Sequence, residues 1–260
     1  MTILDEIIKY KKTEVEENKS LYPVKFLERS IYFASETVSL KKYLLREDKK
    51  GIIAEFKRKS HSKGMLNEYA SVEQVSIGYM QAGASALSIL TDKKYFNGKN
   101  EDLTIARKFN YNPILRKDFI IDEYQIVEAK SIGADVILLI AAVLEKEKIK
   151  QLSEFAKSLN LEIIFEIHNK EELEKVNNNI DIIGVNNRNL NDFKTDINTS
   201  IELSKKIPVE FLKISESGIS SIEAIKNLRK CGFKGFLIGE YFMKTANPSK
   251  ACADFIKKLV

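Results

Sequence analysis

The stretch Ile-Ile-Ala-Glu-Phe-Lys-Arg-Lys-Ser-His-Ser-Lys-Gly, residues 52–64, carries the most information about fold and chemistry. Its β-branched start predicts a strand, and residues two apart in a strand point to the same face. Glu55 and Lys57 therefore stand side by side where the strand ends, just ahead of a loop of Ser, Lys and Gly. A carboxylate and an ammonium at a strand end suit proton transfer and anion binding. The stretch predicts an active-site strand; a buried structural ion pair is the alternative.

The composition is that of a folded globular protein and argues against several functional classes. Hydrophobic residues make up 44% and charged residues 30% of the chain, which argues against disorder. The 42 basic and 37 acidic residues are interspersed, so we expect no nucleic-acid partner. No apolar stretch is long enough to cross a bilayer, and the N-terminal segment lacks the apolar core of a signal peptide. We expect a cytoplasmic protein without a membrane partner, in which Cys231 and Cys252 stay reduced.

Short apolar runs alternate with amphipathic segments eight times along the chain. The pattern predicts strands over residues 51–57, 84–90, 113–117, 135–141, 161–167, 180–185, 210–215 and 235–238. It predicts helices over residues 67–82, 101–109, 122–132, 144–159, 170–176, 200–206, 222–230 and 248–259. Eight βα units in 260 residues favour a (β/α)₈ TIM barrel, an α/β fold, over an open sheet. We expect one domain over residues 1–260, whose helical N-terminal extension, residues 1–49, covers one end of the barrel.

Polar side chains cluster at the carboxyl ends of the predicted strands, where barrels of this kind carry their chemistry. Glycines in the loops after strands seven and eight match the phosphate site of such barrels, where backbone N–H groups hold the anion. Lysines, carboxylates and a phosphate site together predict acid–base chemistry on a phosphorylated sugar. The strand-end residues are Glu55, Lys57, Lys117, Glu166, His168, Asn186, Asn187, Arg188, Glu216, Ser217, Gly218, Gly239 and Glu240.

The chain resembles the indole-3-glycerol phosphate synthase family in five segments that follow one another in order. They are Ile-Ala-Glu-Phe-Lys-Arg-Lys-Ser (53–60), Ser-Ile-Leu-Thr-Asp-Lys-Lys-Tyr-Phe-Asn-Gly (88–98), Pro-Ile-Leu-Arg-Lys-Asp-Phe-Ile-Ile-Asp-Glu-Tyr-Gln (113–125), Gly-Val-Asn-Asn-Arg-Asn-Leu (184–190) and Ser-Glu-Ser-Gly-Ile (215–219). The resemblance implies conversion of 1-(2-carboxyphenylamino)-1-deoxyribulose 5-phosphate to indole-3-glycerol phosphate, CO₂ and water in tryptophan biosynthesis. It also implies a small phosphorylated substrate, no metal and no organic cofactor. We expect a monomer, with association with other tryptophan-pathway enzymes as a further expectation.

The resemblance also implies roles for the matching residues. Lys117 would be the general acid that protonates the substrate carbonyl, with Glu166 as its acid–base partner. Lys57 would contact the anionic substrate and donate a proton in the dehydration, and Glu55 would assist Glu166. The implied substrate-binding residues are Asn186, Arg188, Glu216 and Ser217, and the implied phosphate-binding residues are Ser60, Gly218 and Gly239.

Several strand-end residues have a simpler interpretation, and some positions depart from the family. Asn187 is also a typical turn residue, and Gly218 and Gly239 also suit tight turns without any phosphate contact. His61 stands where the family usually has proline, and we interpret it as a solvated loop residue, with an anion contact as the alternative. The bulky Tyr241 puts a side-chain contact to phosphate at that position in doubt.

Two other functions were weighed against the synthase. Phosphoribosylanthranilate isomerase would place a catalytic cysteine at strand one, where this chain has Glu55 and Lys57, and both cysteines come late. A non-catalytic phosphate-binding barrel would not need two lysines and two carboxylates at the strand ends. With two histidines far apart in sequence and no acidic ligand cluster, the sequence predicts no metal site.

Overall fold

Eight parallel strands close into a barrel in the computed structural model, which describes residues 3–60, 63–189 and 194–259. Two short strands, β2 and β3, lie outside the barrel, and the strands in chain order are β1 (Ile52–Phe56), β2 (Lys59–Ser60), β3 (Gly64–Met65), β4 (Ala86–Leu90), β5 (Ile114–Lys117), β6 (Val136–Ile140), β7 (Glu162–Ile167), β8 (Ile182–Asn186), β9 (Leu212–Glu216) and β10 (Phe233–Ile238). Around the barrel the order is β1-β10-β9-β8-β7-β6-β5-β4, and β1 pairs with β4 to close it. Each of the eight predicted strands is present, and the predicted TIM barrel is confirmed. The loop after β1 also forms a small antiparallel hairpin, β2 with β3, which the sequence did not indicate.

Helices connect the strands and cover the outside of the barrel. They are α1 (Ile3–Leu21), α2 (Val24–Leu27), α3 (Leu40–Leu44), α4 (Val72–Gln81), α5 (Lys93–Phe96), α6 (Asn100–Phe109), α7 (Glu123–Ser131), α8 (Lys146–Ser158), α9 (Asn198–Ser204), α10 (Ile222–Lys230), α11 (Glu240–Met243) and α12 (Pro248–Lys257), with a 3₁₀ helix over Glu171–Lys175. Within the described ranges, no helix is long and apolar enough to cross a membrane.

Two predicted helices differ from the observed ones for local reasons. The helix predicted from residue 67 begins only at Val72, because the Ser71 side chain accepts a hydrogen bond from the Gln74 N–H and caps the first turn there. The segment predicted as a helix over residues 170–176 forms the 3₁₀ helix. Its apolar residues, Leu173 and Val176, are three apart, which matches the three-residue turn of a 3₁₀ helix.

Alternation along each strand divides the core into two layers. On β1, Ile52 and Phe56 face the surrounding helices, while Ile53 faces the barrel interior together with Leu115 and Ile164 of other strands. All of these side chains are almost fully buried, and each contributes about 1.5–3 kcal/mol through its burial. The apolar interior side chains fill the barrel toward the amino ends of the strands. Interior-facing positions nearer the carboxyl ends can therefore carry polar side chains.

The N-terminal extension contacts both ends of the barrel rather than the one end that the sequence predicted. Leu40 and Leu44 of α3 are buried against interior side chains such as Ile53, and Leu44 lies beside Gly235 near the start of β10. The N-terminal turns of α1 instead lie at the carboxyl ends of the strands. One segment therefore closes the amino end of the barrel and adds a wall at the opposite end.

Candidate active site

A cavity of about 740 Å³ opens at the carboxyl ends of the barrel strands. Barrel enzymes bind their substrates at this end. Every site residue that the sequence predicted lines this cavity, although the residues come from six different strands and the loops that follow them. They are Glu55, Lys57, Ser60, Lys117, Glu166, Asn186, Arg188, Glu216, Ser217, Gly218 and Gly239.

Three charged side chains meet at the floor of the cavity, and we call Lys117, Glu166 and Glu216 the inner cluster. The Lys117 Nζ lies 2.7 Å from Oε2 of Glu166 and 3.2 Å from Oε2 of Glu216. The two carboxylates are almost fully buried, and the lysine side chain is 16% exposed to the cavity. Neither oxygen of Glu216 has a hydrogen bond of ordinary geometry within the described residues. The inner cluster thus holds one cation between two carboxylates, one of which is incompletely bonded.

Burial and charge together shift the pKa of all three groups. Burial alone would lower the pKa of Lys117, but Glu166, Glu216 and Glu55 raise it above its usual value. Burial opposes ionisation of Glu166 as well, yet Lys117 holds the pKa of this carboxyl below its usual range. Burial and the neighbouring Glu166 raise the pKa of Glu216 to about 7, against the opposing effect of Lys117. At neutral pH the cluster therefore contains a protonated lysine, an ionised Glu166 and a Glu216 that can gain or lose a proton.

A second ion pair lies on β1, as the sequence predicted from the spacing. The Nζ of Lys57 lies 2.7 Å from Oε1 of Glu55, whose other oxygen is 3.5 Å from the hydroxyl of Ser88. Gly239 leaves room for this carboxylate, since a Cβ at that position would lie 2.3 Å from Oε1 of Glu55. The pair lines the cavity, so it lies at the predicted site and not among the structural ion pairs outside the barrel.

Asn186 and Asn187 are adjacent but contribute differently. Asn186 donates from Nδ2 to Oε1 of Glu166 at 3.1 Å, and its own oxygen accepts from the Arg188 N–H at 3.0 Å. Asn187 is buried and donates to Ser215 Oγ at 2.9 Å while its oxygen accepts from Ser200 Oγ at 2.8 Å. Asn187 therefore ties β8 to β9 and α9; it is neither a simple turn residue nor part of the cavity wall.

The loops after β9 and β10 form the end of the cavity where the sequence predicted phosphate. Ser217 and Gly218 are consecutive residues with positive φ values of 67° and 73°. Such a backbone reverses direction sharply, which glycine tolerates without strain and serine does not. Gly239 directly precedes α11, and Ser60 on β2 accepts a hydrogen bond from the Lys63 N–H. Tyr241 lines the cavity and also packs against the rings of Phe242 and Phe255.

The cavity wall includes residues that the sequence reasoning missed. Lys63, Lys194 and Lys244 add basic side chains to the phosphate end, and lysines are so frequent in this chain that nothing singled these out. A further part of the wall is apolar. Three of its members, Leu90, Phe96 and Phe119, lie inside the segments that carried the resemblance and could have been found there. The apolar residues are Ile3, Leu4, Ile7, Leu90, Phe96, Phe119, Leu138 and Ile140.

A second group of buried charges surrounds β5 on its outer side, and we call Lys11, Asp92, Arg116 and Asp118 the outer network. The Lys11 Nζ of α1 lies 2.9 Å from Oδ2 of Asp92 and 2.9 Å from Oδ1 of Asp118. Arg116 donates to Asp118 at 3.2 Å and to Glu128 of α7 at 2.5 Å. Because Arg116 and Asp118 flank Lys117 in sequence, this network holds the strand end that carries the cavity lysine.

Two further sequence predictions concern His61 and a metal site. His61 lies outside the described residues. Within the described part of the chain, no group of three or more His, Cys, Asp or Glu side chains is arranged to hold a metal ion.

Comparisons with known proteins give the family context of this cavity. A sequence model of the family "Indole-3-glycerol phosphate synthase" matches residues 4–255. A relative from Bacteroides thetaiotaomicron, named indole-3-glycerol phosphate synthase, is 49% identical over 99% of this chain and 98% of its own length. A relative of the same name from Campylobacter fetus is 43% identical over 97% of this chain and 98% of its own length.

Solved structures show the same barrel at much lower sequence identity. The tryptophan synthase α subunit from Legionella pneumophila aligns with a TM-score of 0.61 at 13% identity, over 85% of this chain and 96% of that one. Thiamine phosphate pyrophosphorylase from Pyrococcus furiosus aligns with a TM-score of 0.60 at 16% identity, over 85% of this chain and all of that one. At such identities the similarity is one of fold alone.

Proposed function

The chain belongs to the indole-3-glycerol phosphate synthase family, carboxy-lyases of tryptophan biosynthesis, and on that premise we propose that the barrel cavity is its catalytic site and Lys117 its central acid. The reaction converts 1-(2-carboxyphenylamino)-1-deoxyribulose 5-phosphate to indole-3-glycerol phosphate, CO₂ and water. The observation that carries the proposal is the Lys117 ammonium, which lies between two buried carboxylates in the floor of the cavity.

Lys117 is suited to the first step, in which an aromatic carbon bonds to the substrate's carbonyl carbon. Negative charge then develops on the carbonyl oxygen, and a fixed ammonium stabilises that charge and supplies a proton. The raised pKa of Lys117 keeps it protonated at neutral pH before the substrate reacts. Its contact with Glu216 is the longer of its two ion pairs. We place the substrate's carbonyl oxygen on that side of Lys117.

Glu166 is suited to the positive charge that the ring system carries after the new bond forms. Its lowered pKa keeps it ionised, and Lys117 and Asn186 fix one oxygen each. A fixed carboxylate stabilises a cationic intermediate without having to reorganise. Loss of CO₂ then returns the bonding electron pair to the ring and neutralises this charge.

The Glu55–Lys57 pair is suited to the final dehydration. Lys57 donates a proton to the hydroxyl group, which leaves as water, and Glu166, assisted by Glu55, takes the proton that the ring carbon releases. The proton that Glu166 gains passes to solvent in the cavity, and solvent returns one proton to Lys57 and one to Lys117 before the next turnover; Glu55, 2.7 Å from Lys57, holds that lysine in an ion pair.

The two ends of the cavity fit the two ends of the substrate. Ser60, Gly218 and Gly239 lie with Lys63 and other lysines at one end, where backbone N–H groups and positive charge suit a phosphate. Phe96, Phe119 and Leu138 belong to the apolar wall, which suits a substituted benzene ring. Arg188, Asn186, Glu216 and Ser217 lie on the same cavity wall and suit the hydroxyl and carboxylate groups in between.

The cellular setting of the enzyme is also a proposal. We place it in the cytoplasm, because Cys231 and Cys252 are both free thiols, as expected in a reducing compartment. We propose a monomer that acts on a small phosphorylated substrate, because the described residues of one chain supply every predicted member of the site. A dimer in light scattering would contradict the monomer, and co-purification would test association with other tryptophan-pathway enzymes.

The test of the proposed function is product formation by the purified protein. Indole-3-glycerol phosphate is followed by indole fluorescence with 1-(2-carboxyphenylamino)-1-deoxyribulose 5-phosphate as substrate. We expect turnover by the parent and a loss of about 10²–10⁴-fold or more in kcat for Lys117→Ala. The matched control is Lys213→Ala, because Lys213 on β9 faces outward and donates to the carbonyls of Ser204 and Cys231. Near-normal kcat in folded Lys117→Ala would contradict the assignment, and substrate binding without turnover by the parent would favour a binding barrel.

A further inference from the structure

His168 follows β7 directly and lies between two carboxylates. Its Nε2 is 3.5 Å from Oε1 of Glu166, and its Nδ1 is 3.5 Å from Oε2 of Glu172 in the 3₁₀ helix. The side chain is 11% exposed, and neither ring nitrogen has a hydrogen bond of ordinary geometry within the described residues. A neutral imidazole would present a lone pair to one of the two carboxylates, which repel it. Only the doubly protonated ring presents a donor to both.

Glu172 is itself held rigidly, so it can fix the ring. Its Oε2 accepts the backbone N–H of His168 at 2.6 Å, and its Oε1 accepts from Asn169 Nδ2 at 3.1 Å. The oxygen of Asn169 in turn accepts the Glu172 N–H at 3.0 Å. These reciprocal bonds close a tight loop after β7, which orients the imidazole toward the cavity side of the strand.

The proposed acid–base carboxylate, Glu166, receives contacts from three directions. Oε2 is bonded to Lys117, while Oε1 faces both Asn186 Nδ2 and the His168 ring. We propose that His168 is a positioning residue for the reaction: its imidazolium, anchored by Glu172, keeps the Glu166 carboxylate turned toward Lys117. This inference rests on the proposed role of Glu166.

The charges around the ring agree with a protonated His168. The carboxylates that act on the ring are Glu166, Glu172 and Glu216 of β9, and the Lys117 ammonium contacts the other oxygen of Glu166, 2.7 Å away. Burial alone would lower the pKa of His168, but these carboxylates raise it above its usual value. The ring therefore keeps its proton as the pH rises past the ordinary histidine range, and it loses this proton above its raised pKa.

The first test is the titration of the His168 ring by NMR. The chain has two histidines, so His61→Asn assigns the two imidazole signals. We expect His168 to titrate above about 6.5, the ordinary value, and Glu172→Gln to bring it back toward that value. The matched control is Glu171→Gln, because Glu171 is exposed and lies beside Lys170 at 3.7 Å. The proposal would be overturned if the His168 ring of the parent titrates at or below the ordinary pKa, or if Glu172→Gln leaves the pKa of the ring unchanged.

The second test is kinetic and separates positioning from a general structural role. In His168→Gln the amide reaches toward Glu166 without a charge, and we expect kcat to fall about 10–10²-fold with little change in KM. The ratio of parent to variant kcat should shrink toward one as the pH rises through the His168 titration, because the parent then loses its own charge. A ratio that is the same at every pH, or an unchanged kcat, would contradict positioning. If the parent itself shows no turnover, the proposed function fails, whereas the ring titration still decides whether His168 is the imidazolium described here.

Discussion

Lys117 and its two sequence neighbours face opposite sides of β5 and enter two very different groups of buried charges. In the outer network, Asp118 accepts from Lys11 and Phe119 N–H on one oxygen and from Thr91 and Arg116 on the other. In the inner cluster, the Glu216 carboxylate has one ion pair among the described residues, at 3.2 Å to Lys117, and no hydrogen bond of ordinary geometry to any of them. The carboxylates of Asp118 and Glu216 are both buried, so burial does not distinguish them. They differ in the number of hydrogen-bond and ion-pair partners that their oxygens have.

The difference shows which buried charges hold the fold and which are available for chemistry. A fully bonded carboxylate such as Asp118 has its pKa held well below the usual range by Lys11 and Arg116, in spite of its burial. It cannot exchange protons near neutral pH. Glu216, whose bonding is incomplete, has its pKa raised to about 7 and can. A substrate in the cavity can also supply the contacts that the Glu216 carboxylate lacks, whereas both oxygens of Asp118 already have partners.

Removing one lysine from each group should give opposite results, and this is the largest contrast that we expect. Lys11→Met leaves Asp92, Asp118 and Glu14 without their shared cation, so the free energy of unfolding should fall by about 3–5 kcal/mol. Its kcat, measured where the variant is folded, should stay within about tenfold of the parent, since Lys11 does not touch the substrate cavity. Lys117→Met should lose about 10²-fold or more in kcat, while its loss of stability should be smaller than that of Lys11→Met, because Glu166 keeps its contacts with Asn186 and His168 and Glu216 can take up a proton.

Urea unfolding and steady-state kinetics on the same two preparations measure this contrast. Equal losses of stability and of kcat in both variants would show that the two charge groups do not differ in function. The pH dependence adds a check: because the pKa of Asp118 is lowered by folding, its contribution to stability is present above about pH 3.8 and is lost as the pH falls below it.

Glu216→Gln should separate stability from activity within the inner cluster. Folding raises the pKa of Glu216 from 4.5 to about 7, so the parent loses stability as the pH rises from the unfolded value toward 7. The glutamine variant lacks this loss and should be more stable than the parent by about 1–3 kcal/mol above pH 7, with little difference below pH 4. Its kcat should nevertheless fall about 10–10²-fold. Thermal unfolding across this pH range measures the first effect, and a variant less stable than the parent at every pH would contradict it.

Gly184→Ala should disturb the inner cluster without touching any charge. A Cβ at this position on β8 would lie 2.4 Å from Oε1 of Glu216 and 3.0 Å from Ile164 Cγ2, so the carboxylate must move. We expect a stability cost of about 1–3 kcal/mol and a loss of about tenfold or more in kcat. The control is Gly78→Ala, whose Cβ would meet the Ser249 side chain in the helical layer and should cost stability alone. Equal kcat in both variants would show that the position of the Glu216 carboxylate does not affect turnover.

The sequence predicted the barrel and its strand ends better than the contacts among them. Eight βα units and the i, i+2 spacing of Glu55 and Lys57 placed the polar side chains at one end of the barrel, and the structure brings all of the predicted site residues to one cavity. The roles of Lys117 and its neighbours came from the resemblance to the family. What the chain order could not show was which carboxylate meets which lysine, since those contacts join strands far apart in sequence.

The contribution of the N-terminal extension was also beyond the sequence. The sequence predicted a helical extension that covers one end of the barrel, but not that Leu4 and Ile7 line the cavity or that Lys11 is buried against Asp118. A lysine in an amphipathic helix is normally predicted to be solvent-exposed, because the sequence around it does not indicate a buried partner about a hundred residues away. The sequence did not single out Gly184 either, because its importance depends on how close the Glu216 side chain of the neighbouring strand comes to it.

The contrast between the two charge groups is tested most directly by the titration of their carboxyl groups. We would follow side-chain carboxyl carbons by NMR in protein labelled at Glu and Asp, with Glu216→Gln and Asp118→Asn to assign the two signals. We expect Glu216 to titrate near pH 7 and Asp118 to remain ionised well below the usual pH range of aspartate. A Glu216 that titrates at or below the ordinary pKa of about 4.3 would contradict the proposed difference between the outer network and the inner cluster.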